Sequence, residues 1–322
     1  MKSLFVVCAL LVPSSFSFQI DSPPAIDYHQ HLFSPATSRL ASGAGHGEYE
    51  QIDAARLVAL LDAAGIRRAL VLSVAYQFGN PNRPPIEDEY AKVKAENDWT
   101  SSQVALFPDR LRAFCGVNPL RDYALDEIAR CAGDRWLRAG LKLHFGNSDV
   151  DLDNPQHIER LRRVFRAAGD RGMAVAVHMR SSVTRQRAYG RKEAQIFLNE
   201  VLPAAPDAPV QIAHLAGAGT YDDPSTDEAL SVFVDAIARH DPRMTHVYFD
   251  VSGIAGFGKW TDKADVIAAR IRQLGVQRIL FGSDGATAGG MAPREAWSAF
   301  RKLPLSDEEF RTIATNLSPY MR

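Results

Sequence analysis

Short apolar runs alternate with amphipathic helical patterns eight times along the chain, and this alternation limits the fold more than any other feature. The strand-like runs fall at 25–31, 69–74, 112–117, 140–144, 174–178, 210–214, 246–251 and 278–283. Helical spacing of apolar residues occupies 52–64, 88–107, 123–132, 156–171, 192–201, 227–239, 263–274 and 294–302. A last helix is expected at 306–316, because Ser306-Asp307-Glu308-Glu309 reads as a capping box. Gly65, Gly172 and Gly275 mark turns from a helix back toward a strand. Eight strand–helix repeats predict a closed parallel α/β barrel, the TIM (β/α)8 fold, as a single domain. A length of 322 residues with 46% hydrophobic content suffices for such a core. An open doubly wound sheet is the alternative. It lacks support, because no Gly-x-Gly-x-x-Gly follows the first run and no phosphate loop is present.

In such a barrel every strand ends on one rim, and the long segments at 33–50, 76–87, 147–155, 179–191 and 216–225 all belong to that rim. The residues that finish the strands there are metal-ligand types. The first run closes on His29-Gln30-His31, and alternation places Asp27, His29 and His31 on one face. The fourth, Leu141-Lys142-Leu143-His144, presents Lys142 and His144 together. The fifth, Ala174-Val175-Ala176-Val177-His178, puts its small alanines on the face of His178, which suits a crowded interior. The sixth ends in His214. The eighth ends in Asp284, with Gly282 leaving space beside it. A lone histidine at a strand end is more often a hydrogen-bonded residue than a ligand. Four histidines, His29, His31, His178 and His214, and Asp284 gathered on one rim point instead to a divalent metal site.

The order His-x-His, Lys, His, His, Asp on strands one, four, five, six and eight resembles the amidohydrolase superfamily. The segments 27–33, 140–144, 177–178, 213–214 and 281–284 look like its amidohydrolase-2 branch, as does Leu305-Ser306-Asp307-Glu308-Glu309 with Asn316. The branch contains aminocarboxymuconate-semialdehyde decarboxylase and related lactonases. This resemblance implies that His29, His31, His178 and Asp284 hold one divalent ion, zinc by preference. It implies His214 as general base or substrate-orienting group, and Asp284 as carrier of the proton from the attacking water to the leaving group. A second ion, bridged by a carboxylated Lys142 and bound by His214, is the two-metal alternative. The plain reading of Lys142 is a charge paired with an acid inside the barrel. Arg180, sharing a face with His178, is a candidate clamp for a substrate carboxylate. Trp260, after the loop 253–259, is a candidate pocket wall, although a packed rim residue is the simpler reading. His46, His157 and His240 have no supporting pattern.

The functional expectation is hydrolysis of a lactone, ester or amide bond in a small molecule by a metal-activated water. Non-oxidative decarboxylation on the same site is the alternative, and Arg180 is the residue that bears on it. A non-catalytic metal-binding barrel ranks third, since none of the main ligand positions is missing. Basic and acidic residues number 37 and 38 without any polybasic stretch, so neither nucleic acid nor an anionic membrane is an expected partner. A homodimer is compatible with the superfamily. Residues 1–17 have the form of a secretory signal, with Lys2, an apolar stretch at 4–12, and Ser15 and Ser17 as small residues before the cut. The barrel would then span 18–322, exported to the periplasm or beyond. Export permits Cys115 and Cys131 to pair, but two small core residues explain them equally well.

Overall fold

The computed structural model describes residues 22–42, 51–221, 223–255, 260–285 and 290–322. The expected signal at 1–17 and His46 lie outside them. Eight parallel strands follow one another around a single sheet in sequence order. They are β1 (Ile26–Gln30), β2 (Arg68–Leu72), β3 (Leu111–Gly116), β4 (Gly140–His144), β5 (Ala174–His178), β6 (Val210–Ile212), β7 (Val247–Asp250) and β8 (Ile279–Leu280). The β8–β1 seam is closed by backbone bonds. Tyr28 N donates to the Phe281 carbonyl at 2.8 Å, and Asp284 N donates to the His29 carbonyl at 2.9 Å. The TIM-barrel expectation is therefore met, and β4 and β5 have the expected bounds.

Strand alternation divides the apolar residues into two layers. Leu141, Leu143, Val175 and Val177 face outward into the main cluster beneath the helices. Ile26, Leu70, Leu72, Phe114, Ala174 and Ala176 fill the barrel interior. Tyr320 and Met321 near the end of the chain join that inner cluster and plug the end of the barrel opposite the rim. The filling is tight. A Cβ on Gly140 would come within 2.5 Å of the Phe114 ring, so this strand start is open only to glycine unless the ring moves. The final helix, Asp307–Thr315, begins with the expected capping box between Ser306 and Glu309.

The structure corrects three local expectations. Alternation fails in β1, where the register shifts between Asp27 and Gln30. Tyr28 joins the interior cluster. Asp27 turns away from the cavity and accepts hydrogen bonds from Gln30 Nε2 (2.7 Å) and Ser283 Oγ (2.6 Å). The expected loop at 33–50 contains a helix, Pro35–Ser42. His214 is not in strand conformation: it starts a left-handed turn with φ 55°, followed by Leu215 at 48° and Ala216 at 66°. Cys115 on β3 and Cys131 on the following helix, Ala124–Gly133, are joined by a disulfide. Among the described residues no helix is long and apolar enough to cross a membrane.

Candidate metal centre

The strand ends converge on one rim, as the repeat pattern requires. His29, His31, Lys142, His144, His178, His214 and Asp284 line a single cavity of about 380 Å³ there. One ligand atom each from His29, His31 and Asp284 lies within 4.8 Å of the other two. His31 Nε2 stands 3.5 Å from Asp284 Oδ1. Gly282 makes the crowding possible, because a Cβ at that position would come within 2.7 Å of the His29 Cβ. Asp284 sits in the left-handed region, φ 53°, which an aspartate tolerates better than most residues. His214 and Asp284 are thus both held in conformations the surrounding barrel must enforce.

Hydrogen bonds fix the tautomer of each ring. His29 donates from Nδ1 to Asp250 Oδ2 at 3.0 Å, His31 from Nδ1 to the Leu72 carbonyl at 2.6 Å, and His214 from Nδ1 to the Ser252 carbonyl at 2.9 Å. With the proton on Nδ1, each ring presents the Nε2 lone pair as its free ligand or base. Burial and the nearby Lys142 charge lower the pKa of His29 and His31, so both stay neutral, the state a metal requires. His144 is wired the opposite way. Its Nδ1 accepts the Asn147 backbone N–H at 3.1 Å, so Nε2 carries the hydrogen and is a donor. Its ring stacks on His178 with centroids 3.8 Å apart, and His178 meets His214 edge-on at 4.9 Å. His178 therefore shares the cavity with the tight His29–His31–Asp284 group.

Lys142 is buried, with 1% of its surface exposed, and its Nζ lies 3.3 Å from His29 Nε2. That lone pair is the one an ion would take, so ion and ammonium exclude each other at His29. Burial lowers the Lys142 pKa and raises that of Asp284. The residues thus fit a divalent cation. One carboxylate, Asp284, and the neutral imidazoles of His29, His31 and His214 with their Nε2 lone pairs are gathered in a buried pocket, and a lysine is held there that burial biases toward the neutral amine.

Asp250 at the end of β7 is a functional residue that strand-end reasoning passed over. It is fully buried and accepts from His29 Nδ1, Gln211 Nε2 (2.6 Å), the backbone N–H groups of His214 (3.0 Å) and Ser252 (3.1 Å), and Ser252 Oγ (2.5 Å). Burial alone would raise its pKa. The His29 imidazole and the hydrogen bonds outweigh this and hold it well below the usual carboxylate range. A signal was available: in Val247-Tyr248-Phe249-Asp250 the acid follows alternating residues just as His178 does on β5.

Two expected substrate contacts are placed elsewhere. Arg180 donates from Nε to Asp223 Oδ2 at 2.9 Å and lies over the Tyr189 ring at 4.9 Å, so its guanidinium is engaged away from the cavity lining. Trp260 packs against the outer apolar cluster and does not line the cavity either. Tyr76, Gln77, Arg83 and Asn147 line the cavity instead. Arg83 is steadied by a bond from Nη1 to the Leu40 carbonyl at 3.0 Å. His157 is structural, its Nδ1 accepting the Asp151 N–H at 3.0 Å. His240 is exposed and takes no part in the site.

A (β/α)8 barrel with a buried histidine–aspartate cluster at its strand ends defines a metal-dependent enzyme of the amidohydrolase type. The chain belongs to the amidohydrolase family, whose model matches residues 26–316. Solved structures of similar fold include a dihydroxybenzoic acid decarboxylase from Polaromonas sp. JS666 with bound manganese and the inhibitor 2-nitroresorcinol. It is 16% identical, with 91% of this chain and 95% of that one covered and a TM-score of 0.62. A probable 2-pyrone-4,6-dicarboxylic acid hydrolase from Acinetobacter baumannii with citric acid bound is 17% identical, covering 90% and 96%, with a TM-score of 0.59. An amidohydrolase from Burkholderia multivorans with bound zinc is 14% identical, covering 90% and 95%, with a TM-score of 0.60. At these identities the likeness is one of fold. No curated protein matches the chain.

Proposed function

We propose that the chain hydrolyses a lactone, ester or amide bond in a small molecule. The observation that carries this reading over decarboxylation is the engagement of Arg180 by Asp223, which removes the cation expected to clamp a substrate carboxylate beside His178. His29, His31 and Asp284 would hold one ion, zinc by preference, with His178 completing the set. When bound, the ion supplies a Lewis acid that polarises a carbonyl oxygen and acidifies water. Asp284 collects the proton of the attacking water at its carboxylate and passes it to the leaving oxygen or nitrogen. His214 orients that water through its Nε2 lone pair, its ring fixed by the Ser252 carbonyl. His144 offers its Nε2–H to a substrate oxygen. The buried disulfide Cys115–Cys131 supports export to an oxidising compartment.

Decarboxylation is the second reading. Arg83 on the cavity wall favours it as a different carboxylate-binding cation, and a decarboxylase is among the folds most like this one. Both readings are tested by incubating the zinc- or manganese-loaded protein with lactones, aryl esters, amides and carboxylated phenols, following acid release and CO2 release separately. Acid release from an ester, lactone or amide without CO2 is the expected result. Release of CO2 alone replaces the lead reading with the second.

A further inference from the structure

A second cavity lies apart from the one that holds the histidines. It measures about 690 Å³ and opens at the opposite end of the barrel, against the first residues of β3 and β5. That volume is within the range of small-ligand pockets. Arg112, Arg135, Arg138 and Arg171 line it, and no aspartate or glutamate does. The concentration of one sign is local, because the whole chain carries a net charge of only −1.

The guanidinium groups of this cavity contrast with a set of arginines that are held by carboxylates. Arg110, Arg130, Arg187, Arg270 and Arg272 are each paired with a carboxylate. Arg135, Arg138 and Arg171 make no ion pair among the described residues. Arg112 donates to the backbone oxygens of Tyr320 (3.1 Å) and Arg322 (2.6 Å), and Arg171 to the Ala167 carbonyl (2.9 Å). Arg135 lies 4.9 Å from the Trp136 ring centroid. Arg112 is thus positioned at the end of the chain, Arg171 by a backbone oxygen that leaves its charge uncompensated, and Arg135 by an aromatic face. Like charges gathered without counter-charge repel, so the arrangement gains from an anion that can accept several planar N–H forks at once.

We propose that this cavity is a binding site for a small, multiply charged anion of the phosphate or pyrophosphate class, separate from the metal centre. Its walls suit a ligand of limited size rather than an extended anionic surface. Trp136 and Tyr320 give it apolar sides that would accept a planar group attached to the charged one.

Calorimetric titration of the metal-loaded protein with sodium pyrophosphate tests the proposal. Saturable binding is expected, weakening as salt is raised. In an Arg135→Ala/Arg138→Ala double variant the affinity should fall at least about tenfold, the loss of one or more charge-assisted hydrogen bonds. Both side chains are exposed, so the fold should persist, and circular dichroism checks that it does. Arg171→Ala provides a second, independent variant with the same expectation. Absence of pyrophosphate binding overturns the proposal. Binding of equal strength in wild type and both variants also overturns it, because the probe is then held elsewhere, as at the metal ion.

Discussion

Asp284→Asn lowers kcat by about 10³-fold on any substrate the acid-release assay identifies, with KM nearly unchanged. Asparagine keeps the shape and one oxygen of the side chain but cannot carry a proton, and positioned proton transfer contributes about 10²–10⁴-fold. The backbone N–H of residue 284 still donates to the His29 carbonyl, so the β8–β1 seam survives the substitution. Steady-state kinetics separates the outcomes. Loss confined to kcat in protein that retains its full metal content is the signature of a group that acts in the transition state. A rise in KM with kcat intact would make Asp284 a binding residue and remove it from the proton path.

The second large effect is expected at Asp250, which need not touch the substrate or the ion. Five donors converge on its buried carboxylate, among them His29 Nδ1 and the His214 backbone. Asp250→Asn replaces one acceptor oxygen by an N–H that faces other donors. His29 then loses the partner that fixes its tautomer, and metal affinity should fall about 10–100-fold, the usual cost of removing such an outer partner. Competition against a chelator of known affinity measures it. Ser252→Ala, which keeps the carboxylate and the Ser252 carbonyl that receives His214, should have a smaller effect. Equal metal affinity in Asp250→Asn and wild type would show that the His29 orientation is set by packing alone.

Much of this arrangement was legible because barrel strands obey a simple period. On β4 and β5 the residues that alternate with Leu141, Leu143, Val175 and Val177 end in His144 and His178, and the structure places both on the rim. The capping box at Ser306 was equally legible, since it is written within four consecutive residues. The period fails where the backbone departs from it. The bulge in β1 sends Asp27 to Ser283 and Gln30. The left-handed turn at His214–Ala216 continues the sixth strand by a different backbone. β8 is only two residues long, so Asp284 reaches the site from a turn rather than from a strand. The partner of Arg180 was illegible for another reason: Asp223 lies 43 residues further along, and only the fold of two rim loops brings them together. Asp250 was legible in principle. It was hidden by belonging to a strand that lacks a histidine.

Turnover should depend on a metal centre formed by His29, His31 and Asp284. Metal content per protomer, measured on purified wild type and His31→Ala after both are supplied with zinc, tests it most directly. Bound metal is expected in the wild type, with loss of both metal and activity in His31→Ala while the fold is retained. Wild-type protein that turns over substrate without metal, or a His31→Ala variant that keeps its full complement, would contradict it.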